Sequence, residues 1–324
     1  MVGKINKDTI IRMKILVTGC AGFIGSHVCE YLLKRGDQVL GIDNLNNYYD
    51  INKKLDNLKV LQEYINFTFK KEDICNTKLI TTWKPDKVCH LASMAGVRYS
   101  IENPKIYIKV NIEGFIHLLE EAHKNNVNQI VYASSSSVYG LNTKVPFSET
   151  DPIETPNSPY ATSKLAMELF AKTYHQLYNL KLIGLRFFTV YGPRGRPDMA
   201  PYKFLKAIHE GNKFYKFGDG SSSRDYTYID DIVDGVIAAL DNVKNIKCKV
   251  YNLGNSNPIY LNDFITLCEK VVGKKGKFEQ IDNQLGDVPK TYANITLAKK
   301  DLDYMPKKSL YEGLLLTYEW LKNV

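Results

Sequence analysis

The run Thr18-Gly19-Cys20-Ala21-Gly22-Phe23-Ile24-Gly25 constrains the fold of this chain more than any other feature. It follows a short β-rich run, Lys14 to Thr18, and opens a helical pattern from Phe23 to Lys34. Gly19 permits the tight turn, Gly22 lets a pyrophosphate approach the backbone, and Gly25 allows the helix to pack on the strand. Phosphates would rest at the helix N-terminus, where free N–H groups and the helix dipole favour negative charge. Asp43 closes the next β-rich run, Gln38 to Asp43, at the distance where an acid binds both ribose hydroxyls. An acid there repels a 2′-phosphate, so the turn predicts NAD as cofactor in preference to NADP.

Beyond the turn, apolar runs alternate with helical patterns, as in an α/β fold with a parallel sheet and crossover helices. Further strands are predicted at Asn66–Lys70, Lys87–Leu91, Gln129–Ser134 and Leu180–Arg186, and helices at Ile51–Tyr64, Pro104–Asn125 and Pro159–Tyr178. After Arg186 the alternation gives way to Pro- and Gly-marked loops. Shorter elements follow: helices at Pro201–Glu210, Asp230–Leu240 and Leu261–Val272, a strand at Val250–Leu253, and an amphipathic close from Ser309 to Lys322. The reading is a Rossmann-like doubly wound parallel sheet with a smaller mixed α/β region. Residues 1–186 form the cofactor domain, with 224–250 returning to it, and 187–324 form a substrate-binding region.

Several function classes are disfavoured. The first thirteen residues mix charged and isolated apolar residues and read as a ragged leader, without the apolar core of a secretory signal. No apolar run is long enough to cross a bilayer. Six scattered cysteines, with no Cys-x-x-Cys and no neighbouring His pair, argue against a metal site or disulfide framework and for a reducing, cytoplasmic compartment. The net charge of +8 is spread along the chain rather than gathered into a basic stripe with aromatics. Attraction for an anionic small molecule accounts for it better than nucleic-acid binding.

Tyr160 and Lys164 sit four apart on the helix that Pro159 opens, so both emerge on one face. An ammonium held near a phenol favours phenolate, which would make Tyr160 a general base. Alone the spacing is common on exposed helices. Here a serine run, Ser134 to Ser137, leaves the fifth strand ahead of the tyrosine at the carboxyl edge, where α/β sheets place ligands.

The Gly-x-x-Gly-x-x-Gly spacing together with Tyr160-x-x-x-Lys164 resembles the extended short-chain dehydrogenase/reductase family, whose members act largely on nucleotide sugars. The likeness runs over nearly the whole chain. It implies that Ser135, Tyr160 and Lys164 form the catalytic trio and that Lys164 also binds the nicotinamide ribose. It places Gly19, Gly22, Phe23, Ile24, Gly25, Asp43, Asn44, Asp73, Ile74, Leu91, Ala92 and Asn111 around the cofactor. Where dehydratases of the family carry Asp-Glu, this chain has Ser136-Ser137, and decarboxylases tend to place a glutamate there. Their absence points to 4-epimerisation of a UDP-hexose through a transient 4-keto sugar.

Arg186 to Met199, Asn44 to Lys54, Arg98 to Pro104 and Gly286 to Pro289 look like the corresponding stretches of the UDP-glucuronate 4-epimerase branch. By that likeness Ser136, Ser137, Thr189 and Arg196 surround the substituent on sugar C5, where an arginine and three hydroxyls suit a carboxylate, and Met199 also lies at the substrate. Arg224 would bind the diphosphate and Asp287 the uridine ribose. Gln284 stands where many UDP-galactose epimerases supply a second phosphate-binding arginine, which leaves that contact unassigned. Epimerisation of UDP-glucose or UDP-N-acetylglucosamine is the chemical rival, and a non-catalytic nucleotide-binding regulator the rival of another class. Family members are often homodimers through a four-helix interface, for which the helices at Pro104 and Pro159 could serve.

Overall fold

A computed structural model describes residues 13–283 and 286–324. The leader predicted at the start of the chain, apart from Met13, and Gln284 lie outside the described residues. The strands are β1 (Lys14–Thr18), β2 (Gln38–Asp43), β3 (Phe67–Lys71), β4 (Lys87–His90), β5 (Gln129–Ser135), β6 (Lys181–Phe187), β7 (Thr189–Tyr191), β8 (Lys213–Phe217), β9 (Ser223–Tyr228), β10 (Cys248–Leu253), β11 (Pro258–Tyr260) and β12 (Lys277–Ile281). The helices are α1 (Phe23–Arg35), α2 (Ile51–Gln62), α3 (Leu79–Trp83), α4 (Val97–Glu102), α5 (Pro104–Tyr107), α6 (Gly114–Lys124), α7 (Pro159–Tyr178), α8 (Ala200–Glu210), α9 (Ile229–Ile246), α10 (Leu261–Val272), α11 (Thr296–Leu302) and α12 (Leu310–Leu321).

Seven strands form one sheet in the order β10-β6-β5-β4-β1-β2-β3, every pair parallel. The order reverses between β1 and β4, so the carboxyl ends of these strands open a crevice, the usual ligand position of a doubly wound sheet. Both faces are covered, and β1, β4, β5 and β6 are correspondingly buried along most of their length. The part of the second half that returns to this sheet is α9 with β10. Two small sheets, β11-β9-β7 and β12-β8, stand beyond the same carboxyl edge.

Local chemistry explains the element that matters most, α7. Pro159 occupies its first turn, where no donor is lost, and the Ser158 hydroxyl accepts from Ala161 N at 3.2 Å. Asn179 ends it in the left-handed conformation. The predicted helix Pro104–Asn125 is instead three pieces, α5, a π-helical stretch over Ile108–Glu113, and α6. Wider π turns rotate side chains out of the α-helical register, and here the rotation brings Asn111 wholly inside.

One buried network binds α7 to the sheet. Arg186 on β6 donates from Nε and Nη2 to Glu168 on α7, at 2.9 and 2.7 Å, and from Nη1 to the Tyr139 hydroxyl at 3.0 Å. Ser134 on β5 donates to the same carboxylate at 2.6 Å. Tyr139 in turn donates to Asn252 on β10 at 2.7 Å. Removing one partner of such a pair strands the other charge away from water. Glu168→Ala should therefore lower unfolding stability by about 3–5 kcal/mol, read as a shift of the urea midpoint. A loss under about 1 kcal/mol would mean that the pair contributes no more than a surface ion pair.

Candidate functional site

The glycine turn meets its geometric requirements. Gly19 has φ +72°, and a Cβ there would press on the Leu91–Ala92 backbone at 2.8–3.0 Å. A Cβ on Gly25 would run into the Gly19 carbonyl. Gly22 caps α1 without any side-chain acceptor, so the first-turn N–H groups are free for a pyrophosphate. Asp43 ends β2, where its Oδ1 accepts from Leu45 N at 2.8 Å.

Gly19, Gly22, Phe23, Ile24, Gly25, Asp43, Asn44, Ile74, Leu91 and Ala92 all line one cavity of about 420 Å³. The shape and donors fit NAD. Asp73 stands just behind this wall, accepting from Asn44 Nδ2 at 3.0 Å and Cys75 N at 2.9 Å.

Asn111 does not reach the cavity. Its Oδ1 accepts from Ser93 Oγ and Met94 N, and its Nδ2 donates to Met94 O and Ser163 Oγ, all at 2.8–3.0 Å. Its hydrogen-bonding capacity is spent pinning the loop after β4 to α7, so the position lining the pocket is one step removed.

Ser135, Ser136, Ser137, Tyr160 and Lys164 converge on the same cavity. Ser135 ends β5, and its hydroxyl accepts from Ser137 N at 3.1 Å, closing a turn that aims Ser136 and Ser137 inward. The expected electrostatics of the pair need correction. Lys164 Nζ donates to Ala133 O at 2.8 Å and lies against Met167 Sδ, rather than reaching the phenol. Burial raises the Tyr160 phenol above its ordinary value, while a hydrogen bond with Ser135 and the charge of Arg196 oppose this without overcoming it. Burial also pulls Lys164 down to about 7, against the opposing charge of Glu168. A dry site thus disfavours charge on both residues, and the ammonium alone does not make a phenolate.

Thr189, Arg196, Met199, Arg224 and Asp287 line the other end. Arg224 donates to Ser223 O at 3.0 Å, and burial lowers its guanidinium, Asp287 offsetting part of this. Sequence reasoning missed four residues here. Arg98 pairs with Asp287 at 3.2 Å and stacks 4.4 Å over Phe217, bringing a second arginine to the nucleotide end. Lys54 lies 3.6 Å from Asp43, both buried. Tyr48 and Asp198 close around Arg196. All four fall within stretches that carry the family likeness, but nothing in their spacing reports these partners.

The model of the NAD dependent epimerase/dehydratase family matches residues 15–254. A UDP-glucuronate 4-epimerase of Thermodesulfobacterium geofontis is 46% identical over 95% of this chain and 96% of its own. The crystal structure of UDP-glucuronic acid 4-epimerase from Bacillus cereus, in complex with UDP-glucuronic acid and NAD, is similar with TM-score 0.91 and 38% identity. That match covers 96% of this chain and 99% of the other. A UDP-glucose 4-epimerase of Thermotoga maritima, solved with UDP-glucose, follows at TM-score 0.87 and 34% identity over 96% and 99% of the two chains.

The depressed Lys164 has a sign that can be tested. An unfolded lysine titrates near 10.5, so between about 7 and 10.5 the unfolded chain binds the extra proton and stability rises with pH. Below about 7 the penalty is fully present. Lys164→Met should stabilise the cofactor-free protein by about 2–5 kcal/mol at pH 7, and the gain should vanish towards pH 10.5. Urea unfolding across that range measures it, and a pH-independent difference would contradict the assignment.

Proposed function

The chain belongs to the NAD dependent epimerase/dehydratase family, and on that premise we propose that it is an NAD-dependent UDP-hexose 4-epimerase. Its preferred conversion is UDP-glucuronate to UDP-galacturonate. The observation that carries this reading is the single cavity in which Ser135 and Tyr160 face Thr189, Arg196 and the Ser136-Ser137 pair. A base and its hydroxyl partner thus stand beside a cationic, hydroxyl-rich end suited to a carboxylate.

The cofactor would be held by Gly19, Gly22, Gly25, Asp43 and Lys164, and its chemistry is reversible hydride acceptance beside a positively charged ring that favours phenolate. The other demands fall on the chain. Tyr160 removes the proton of sugar O4, and Ser135 shares that hydrogen bond. Arg224 holds the diphosphate, with Asp287 on the uridine ribose. The 4-keto sugar then turns over, so that the hydride would return to the opposite face of C4 while Tyr160 gives the proton back to O4, leaving the opposite configuration.

Oxidation at C4 of a glucuronate makes a β-keto acid, which loses carbon dioxide if its carboxylate bond aligns with the carbonyl π system. Arg196, Thr189, Ser136 and Ser137 hold the carboxylate in the carbonyl plane and suppress that loss. In this reading residues 1–186, with 224–250, serve the cofactor and 187–324 the nucleotide sugar. Among the described residues no helix is long and apolar enough to cross a membrane. The six cysteines are unpaired, which suits a reducing compartment such as the cytoplasm.

A homodimer completes the reading. Ile108 beside α6 and Leu169, Leu177 and Tyr178 on α7 are exposed apolar side chains on adjoining helices. Two such helices from each protomer would make a four-helix interface. Light scattering should give twice the chain mass, and Leu169→Glu with Leu177→Glu should halve it. A wild-type monomer at micromolar concentration would remove the proposal.

Purified protein incubated with UDP-glucuronate, UDP-glucose and UDP-N-acetylglucosamine should favour the first, and equal turnover of UDP-glucose would overturn the preference. Tyr160→Phe should cost about 10²–10⁴ in kcat. Arg196→Ala or Thr189→Ala should increase the decarboxylated UDP-pentose resolved by chromatography. The absence of that product from both variants would count against the carboxylate grip.

A further inference from the structure

Arg196 is already engaged by a carboxylate. Its Nε donates to Asp198 Oδ1 at 3.0 Å and its Nη2 to Oδ2 at 2.6 Å, a two-point fork. From the segment between β2 and α2, Tyr48 donates its hydroxyl to the same Oδ2 at 3.3 Å, and its ring stands 5.6 Å from the guanidinium. Gly96, at φ +97°, leaves room for this arrangement, since a Cβ there would meet the Tyr48 hydroxyl. Tyr48 and Arg196 both line the cavity beside Ser136, Ser137 and Thr189.

The two partners differ in freedom. The Arg196 side chain is 19% exposed and that of Asp198 is 36% exposed. The aspartate can swing towards water, whereas the guanidinium stays committed to the cavity. Burial pushes the Asp198 carboxyl up, but the bonds and charge of Arg196, helped by Tyr48, outweigh it and hold the group ionised.

We propose that Asp198 is a resident stand-in for the substrate carboxylate, occupying the Arg196 fork until a hexuronate displaces it. The inference rests on reading this end of the cavity as the place of the C5 substituent. As built, the end is electrically neutral, so an uncharged hydroxymethyl group does not strand a guanidinium against it. A hexuronate must instead exchange one carboxylate for another on the same fork. Asp198 therefore lowers the discrimination between charged and uncharged UDP-hexoses below what a lone arginine would impose. Tyr48 sets how readily the exchange occurs.

The test is calorimetric binding of UDP-glucuronate and UDP-glucose to the NAD-loaded protein, read as the ratio of the two dissociation constants. Asp198→Asn keeps the shape and removes the competing charge, and should shift the ratio about tenfold towards UDP-glucuronate. Tyr48→Phe loosens the aspartate and should move the ratio the same way, by about two- to threefold. Arg196→Ala should bring the two affinities together. An unchanged ratio in both Asp198→Asn and Tyr48→Phe, or a shift towards UDP-glucose in Asp198→Asn, would make Asp198 a mere support for Arg196 and overturn the proposal. Turnover of UDP-glucuronate by the unaltered protein is measured separately. Its absence would remove the proposed reaction while leaving the binding ratios to judge Asp198.

Discussion

The buried contact of Arg186 with Glu168 is the constraint on which the site depends. It fastens the midpoint of α7 to β6, and Ser134 bonding to the same carboxylate fastens α7 to β5. Tyr160 and Lys164 lie on α7 upstream of that anchor, and Ser135 is the next residue after Ser134. The distance between base and hydroxyl partner is thus inherited from an ion pair that never touches substrate. Through Tyr139 and Asn252 the network also reaches β10 and the carbonyls of Phe147 and Asn294, so the roof of the cavity shares the anchor. A hydrophobic substitute could match its stability, but the charged version also fixes direction, because a forked guanidinium accepts one carboxylate orientation.

The same dryness that makes the anchor firm makes the proposed catalytic pair reluctant. Tyr160 is raised and Lys164 lowered, each chiefly by burial. Near neutrality the Tyr160 phenol therefore stays unionised and Lys164 is only partly charged until something else brings charge to the cavity. A cationic cofactor ring would be such a source, so the proposed base Tyr160 would become competent once the cofactor is in place. Lys164 held on Ala133 O is consistent with that order, since the ammonium is stored at the sheet edge and not spent on the phenol.

Local signals were legible wherever a single residue imposes a backbone state. The bounds of α7 and α10 follow from Pro159 and Asn179, and from Gly273, which takes φ +74° after Val272. The glycine turn and Asp43 were readable for the same reason. Strands β8, β9 and β12 were not. They are short and carry charged residues, β8 and β12 in a two-stranded sheet and β9 between two three-residue strands, so their pairing is set by the neighbouring strand more than by their own pattern. Asn111 was expected on the cavity wall and instead sits buried one layer behind it, because a π turn has no compositional mark. Arg98 with Asp287, and Tyr48 with Asp198, join residues 189 and 150 apart in the chain, and only the fold brings them together.

The two ends of the cavity also differ in how firmly they can hold a ligand. At the proposed nucleotide end Arg224 spends its Nη1 donor on backbone carbonyls, and Arg98, behind the cavity wall, leans on Phe217 as well as Asp287, so Arg224 keeps donors for a diphosphate in that reading. At the sugar end Arg196 comes already neutralised. Epimerisation needs this inequality. The ring must turn between two proton transfers while the nucleotide stays anchored, and in the proposed reading the Arg196 end keeps the carboxylate in the carbonyl plane without fixing one face of the ring. A resident Asp198 carboxylate, as proposed, keeps that hold from becoming one-sided, so that one site accepts both configurations at C4.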